Sequence, residues 1–316
     1  MVPRAYDERM SQRPSVPSCL RRGWLAAALL LAGPVLAGPP ASEASATVSP
    51  MPQVTIEARR AALQHQLFEY VNSITHTQRR DEALHRWNQP VCPAVVGLTK
   101  EEGEFILARL SQIARAAAVP LDGEQCQVNL AIVFTTDPDA VIRAWGKRRS
   151  AFGVHGSPAT FERFAARRDP VRVWYNHTFG SPDSGALTPG CLQLGNRFPD
   201  APCGTNLTGS KMYVKDLLAF ASVAVIVDAR QTAGIGIGAL TDYTAMRAFA
   251  DTDPEVALRA SPTILRLFSA RAANQPLPAG LSDWDRAFLR ALYGTKLDLI
   301  TQRSVIAEEM IQDVAP

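Results

Sequence analysis

Asp228 and Gln231 are the residues from which chemistry is most readily built in this chain: a carboxylate that can take up a proton and, three positions on, an amide that can orient a substrate. They stand in Val227-Asp228-Ala229-Arg230-Gln231-Thr232-Ala233-Gly234, after the apolar segment Leu217 to Val227 and before the glycine-punctuated turn Gly234-Ile235-Gly236-Ile237-Gly238. Read as an apolar helix that stops at glycine, the stretch has the frame in which a catalytic zinc ion is held. Such a helix needs two histidines at i and i+4, an acid beside the first to activate water, and a third ligand past the glycine. With Gly234 at the glycine position, Val227 and Gln231 fall where the histidines belong, Asp228 is the acid and Ile237 the third ligand. Valine and isoleucine cannot bind a metal and an amide alone holds zinc poorly, so neither a metal nor another cofactor is expected at this motif.

Asp228 then has two readings. It is a general base with Gln231 orienting substrate, or an acid near a helix C-terminus whose charge Arg230 compensates. The second is favoured, because no partner acid or histidine lies near it in sequence. Other motifs are weaker. The glycine run lacks the Gly-x-Gly-x-x-Gly spacing and reads as a helix cap and turn. Gly180 to Gly185 lacks the spacing of a nucleophile elbow. His65, His76 and His85 lie along or just beyond a helix with no i, i+4 pair, while His155 and His177 fall in turns or loops.

The elements that must position these residues follow from periodicity and capping. Arg21-Arg22 before the apolar run Trp24 to Ala37 reads as a signal peptide over residues 1–37, with an uncleaved membrane anchor as the minority alternative and Met1 or Met10 as the start. Residues 38–53 read as a flexible linker. A helical region over 54–85 buries Leu63, Leu67, Val71 and Ile74. A sheet-containing part over 86–210 holds strands at Val91–Val96, Val128–Thr135 and Val171–Tyr175. It also holds a helix opened by the Thr99/Glu102 capping box, with Phe105, Ile106, Leu110 and Ile113 inward, and a helix started by Asp137-Pro138. Residues 176–210 read as irregular, and 211–316 as helical, with Ser282 and Asp285 boxing one helix start. The expected fold class is a single α+β domain with a small mixed sheet packed by helices.

Five of the 33 basic and two of the 30 acidic residues precede Gly38, so 28 of each remain beyond it, and nucleic acid is not an expected partner. Cys92, Cys126, Cys191 and Cys203 follow the apolar run, an even number that in an exported chain reads as two disulfides with three possible pairings. Cys191 with Cys203 is favoured as a staple of the irregular segment, leaving Cys92 with Cys126.

The arrangement resembles a proteobacterial family of secreted proteins and lipoproteins of unknown function with a degenerate metzincin-like (zincin-like) domain, whose motif reads Glu-Glu-x-x-Gln-x-x-Gly-Leu. The residues that carry the resemblance are Val227-Asp228-Ala229-Arg230-Gln231-Thr232-Ala233-Gly234-Ile235, Arg86-Trp87, Ser261-Pro262-Thr263-Ile264-Leu265, and Leu281-Ser282-Asp283-Trp284-Asp285-Arg286 with Leu292-Tyr293. The resemblance implies a zincin-like fold that has lost its metal. The functional expectation is a periplasmic or secreted, non-catalytic binding or scaffolding protein whose partner is an envelope protein or peptide, with no membrane contact after signal cleavage. The alternative is a hydrolase working metal-free at Asp228, or with ligands gathered from His155, His177 and Asp242. Metal analysis separates the two, stoichiometric zinc speaking for the hydrolase.

Overall fold

The computed structural model describes residues 53–75, 84–147, 158–180, 217–253, 261–295 and 301–315. The expected signal peptide, His76, His155 and the Cys191/Cys203 pair lie outside these residues. Residues Met51–Pro316 form a compact unit by themselves.

The sheet-containing part takes shape from two local signals, apolar strands and capped helices. β1 (Pro93–Val96) leads into α2 (Lys100–Ala116), which follows α1 (Gln53–Ile74) in the chain. At the start of α2, the Thr99 hydroxyl accepts from the Glu102 N–H while the Glu102 carboxylate accepts from the Thr99 N–H, so the expected capping box is present. β2 (Leu130–Thr135) alternates buried and half-buried residues, and Asp137 then caps α3 (Pro138–Gly146) by accepting from the Ala140 N–H at 2.9 Å. After α4 (Pro158–Ala166) come β3 (Val171–Gly180) and β4 (Leu217–Asp228). β3 continues through residues 176–180, expected to be irregular.

Leu217 to Asp228 is a strand, where an apolar helix was expected. The physical reason is burial on both faces. β4 lies inside the sheet, whose order is β1-β2-β4-β3, parallel to β2 on one side and antiparallel to β3 on the other. Val223, Val225 and Val227 face one core, while Ala224 and Ile226 face a second one with Trp174, Ile142 and Phe164. A strand with no wet face has no polar alternation, so its sequence reads as a continuous apolar run. Its β-branched residues carry the remaining strand signal. Val227 is a fully buried core residue and could never have presented a ligand.

The glycine turn therefore connects a strand to a helix. Gly234 has φ +80°, and α5 (Ile237–Phe249) starts behind Gly236. The turn starts this helix; it does not cap an earlier one. Among the helices around it, α2 packs on α5, while α7 (Asp283–Gly294) and α1 both pack on α8 (Gln302–Val314). Between α5 and α7 lie a 3-10 turn, Ile264–Arg266, and the short α6, Leu267–Ala272. Leu67, Val71 and Ile74 of α1 are fully buried as expected, and so are Ile106 and Leu110 of α2 to within 1%; Phe105, expected inward, is 44% exposed.

The architecture is thus a four-stranded mixed sheet covered by helices on both faces. Cys92 and Cys126 are disulfide-bonded, joining the chain ahead of β1 to the chain ahead of β2. No helix among the described residues is long and apolar enough to cross a membrane.

Two pairs of segments far apart in sequence meet around buried polar groups. Trp87 is buried edge-on against Phe220 and donates from its ring N–H to Ala248 O at 2.9 Å. Beside it, the Arg86 guanidinium donates to Leu292 O and lies 5.5 Å from the Tyr293 ring centre. Thr263 and Ile264 meet Ser282 at the Asp285 carboxylate, which is fully buried. Of the segments that carry the family resemblance, Arg86-Trp87 thus packs with Leu292-Tyr293, and Thr263-Ile264 with Ser282 and Asp285; the 227–235 stretch is in neither pair.

Candidate functional site

Asp228 ends β4 at the edge where the parallel strands β1, β2 and β4 finish, the side on which open α/β sheets commonly bind ligands. Its surroundings decide what it can do. Oδ1 accepts from the Arg230 N–H at 2.9 Å and the Gln231 N–H at 3.3 Å, and Oδ2 accepts from Gln231 Nε2 at 2.9 Å. Its backbone carbonyl accepts from the Thr232 hydroxyl at 2.8 Å. This is a turn in which an aspartate replaces the ladder partners that the strand loses at its end. The carboxyl is almost wholly buried. Burial alone raises its pKa, but the Gln231 amide and the Arg230 and Gln231 N–H groups outweigh that and hold it below the ordinary value. A base is wanted near neutral pKa with a lone pair facing substrate; Asp228 is a weak base turned into its own loop. Gln231, the other residue of the motif, is held by the same contact and by donating to Arg168 O at 3.3 Å.

The same edge carries a buried guanidinium. Arg172 of β3, 2% exposed, donates to Asp139 of α3 at 2.9 Å and to Arg167 O at 2.9 Å. The Arg172 hydrogen bond is the main reason that the Asp139 carboxyl is held below its usual value. A depressed native pKa means stability that is complete above the unfolded value, about 3.9, and is lost as pH falls through the lower native value. We expect melting temperature to fall with acidification below about pH 4. Asp139→Asn should flatten part of that slope in a thermal melt series, and an unchanged slope would remove Asp139 from the account.

Asp242, expected as a scattered metal ligand, is fully committed elsewhere. From α5 it receives both arms of the Arg109 guanidinium on α2, with Nη2 at 2.7 Å, and accepts from the Leu281 N–H at 2.8 Å. The fit leaves no room for a side chain at Gly280, where a Cβ would lie 2.5 Å from Asp242 Oδ2. This pair closes one end of a groove of about 250 Å³ between α2 and α7, floored by Ile113, Leu281 and Leu289 and rimmed by Arg286 and Arg290. Arg286 and Arg290 are paired in turn with Asp283 and Asp313.

His177, the remaining expected ligand, does meet other ligand types, at the opposite end of β4. It lies on β3 just past a bulge at Asn176/His177, opposite Phe220. Its ring centre is 4.5 Å from that of His85. His85 precedes Trp87 in the segment that runs beside β4, with Arg86 bridged to Ala219. His85 Nδ1 is 2.9 Å from Oδ2 of Asp251, which follows the end of α5. His85 and Asp251 side chains are only 10% and 11% exposed. Of the other two ligands expected with His177, Asp242 is held by Arg109 and the Leu281 N–H, and His155 lies outside the described residues. Sequence reasoning missed His85 and Asp251 as its partners, since 166 residues separate those two and a strand bulge aligns the third. No local spacing could have found them.

Compared with protein-family models, with curated proteins and with solved structures, the chain matches none.

Proposed function

We propose that this chain is an exported protein that acts by binding an envelope protein or peptide, without turning over a substrate at the Asp228 motif. The observation that carries this reading is the Asp228 carboxylate: among the described residues its hydrogen bonds come from its own turn, and they lower its basicity. Val227, at the first ligand position of the zincin-like pattern, is buried in the sheet, and Asp242 is neutralised by Arg109. The groove between α2 and α7 supports a binding role. It combines an apolar floor with guanidinium donors whose charges are balanced within the protein, a surface suited to the polar backbone and apolar side chains of a peptide. The zincin-like ancestry rests on the order of the resembling segments alone, because the stretch that would be the metal-binding helix is the end of β4 and a turn.

The test pairs activity with stability. Wild-type protein should show no turnover on a panel of peptide and ester substrates. Asp228→Ala should lower unfolding stability by roughly 1–3 kcal/mol, because it removes the acceptor of the Arg230 and Gln231 backbone N–H groups in the turn. Hydrolysis by the wild type that disappears in Asp228→Ala, with the melting temperature unmoved, would overturn the proposal in favour of a metal-free hydrolase.

A further inference from the structure

We infer that His85, His177 and Asp251 form a binding site for one divalent first-row transition ion, of which Zn²⁺ and Co²⁺ are the working probes. The site is distinct from the Asp228 turn, at the other end of β4, and it extends the binding reading above.

Each of the three residues offers a ligand atom, and these atoms all lie within 4.8 Å of one another. Ligands around a zinc ion at about 2.0–2.1 Å sit roughly 3.0–3.4 Å apart, so the set must draw in by at most about 2 Å. One pair is already at that spacing, His85 Nδ1 and Asp251 Oδ2 at 2.9 Å. The two imidazoles are tilted at 60° with ring centres 4.5 Å apart, so they meet without stacking.

Donor chemistry narrows the ion. Two imidazoles and one carboxylate suit zinc, iron(II), cobalt(II), nickel(II) or copper(II); magnesium and calcium prefer all-oxygen sets. Burial argues in the same direction. Three ionisable side chains from separate segments have been brought together at nine-tenths burial for His85 and Asp251. His85 Nε2 is buried without a hydrogen-bond partner among the described residues, so no contact there holds the ring against the small shift that closure needs. Tyr175 stacks on His177 and on Phe220, which gives the site one rigid aromatic wall. Tyr175 itself is fixed by donating to Arg247 O at 2.6 Å.

Both histidines bind as neutral rings and Asp251 as the carboxylate. The His85 ring takes the Nε2–H tautomer, the proton that Nδ1 shares with Asp251 passing to Nε2 by way of water, so the ring stays neutral and Nδ1 is left to the ion. No redox step is involved. An ion held there ties the segment before β1, the bulge of β3 and the end of α5 to one point. It also changes what metal content means for the functional question: the ion's position, read from the variant that loses it, separates binding from hydrolysis, and its presence alone does not.

The experiment uses the tag-free full chain, stripped with chelator and titrated with Co²⁺ by visible absorption and with Zn²⁺ by calorimetry. One equivalent should bind and raise the melting temperature. His177→Gln and Asp251→Asn should each weaken binding by at least about 100-fold, beyond the ~10–100-fold effect of losing an outer orienting partner. Asp251→Asn keeps a hydrogen-bonding group opposite His85, so it decides the matter if His177→Gln misfolds. No uptake by the wild type, or uptake that both variants retain undiminished, overturns the inference. Neither result bears on Asp228, whose assay reads hydrolysis and stability with no metal added.

Discussion

Asp285→Ala should destabilise the protein by roughly 3–5 kcal/mol, the largest effect expected of any single substitution in this chain. The carboxylate is fully buried and gathers hydrogen bonds from three parts of the sequence. It accepts from the Tyr70 hydroxyl at 2.8 Å, the Thr263 hydroxyl at 2.6 Å, the Ile264 N–H at 2.8 Å, and the Ser282 N–H and hydroxyl at 2.8 and 2.9 Å. Burial, and then the neighbouring carboxylate, push the Tyr70 phenol above its usual range, so that it stays a donor. Alanine would strand all of these donors in a dry interior, where each unmade bond costs more than a made one contributes. Asparagine should recover little, because its NH₂ would point at donors. Tyr70→Phe removes one donor and should cost only about 1 kcal/mol. Urea unfolding at constant slope reads all three variants, and an Asp285→Ala loss below that of Tyr70→Phe would contradict the hub.

Replacing both Cys92 and Cys126 by alanine should cost about 4 kcal/mol, the chain-entropy value for a closed loop of this size, given their separation of 34 residues. The folded ends are already held without the bond. Cys92 donates its N–H to Asn129 Oδ1 at 2.8 Å, its carbonyl accepts from Asn129 and Leu130 at 3.2 Å, and Asn129 Nδ2 donates to Pro90 O at 2.8 Å. The double variant should therefore keep its fold and lose stability chiefly through a freer unfolded chain. Calorimetry checks this: a lower melting temperature with an unchanged circular dichroism spectrum is expected, whereas a collapsed spectrum would mean that the bridge shapes the native state.

Much of the frame was legible because it is written locally. Thr99 with Glu102, Asp137 before Pro138, and Ser282 with Asp285 are side chains that satisfy backbone groups a few residues away, so their spacing alone announces them. The Cys92–Cys126 pair, set by counting and by elimination of the favoured staple, is present. β4 was misread because periodicity reports wet faces and this strand has none. That single error carried others with it: once 217–228 is a strand, the zinc-helix register of Val227 and Gln231 has no meaning, and Gly234 belongs to the start of a helix. Asp285 showed only its capping half. Its hold on Tyr70 spans 215 residues and no window sees it. The same holds for His85, His177 and Asp251, whose meeting depends on how three elements end.

Among the described residues, the closure of α1 on α8 joins positions that lie farthest apart along the chain. Tyr70 bonds to Asp285, and the Leu84 N–H to Gln302 Oε1 across 218 positions, with α1 lying on α8. Contacts of that span demand loop-closure entropy before they reward it, so the seam of α1 on α8 is expected to form after the local capping boxes, and stopped-flow refolding of Tyr70→Phe should change the unfolding rate more than the folding rate.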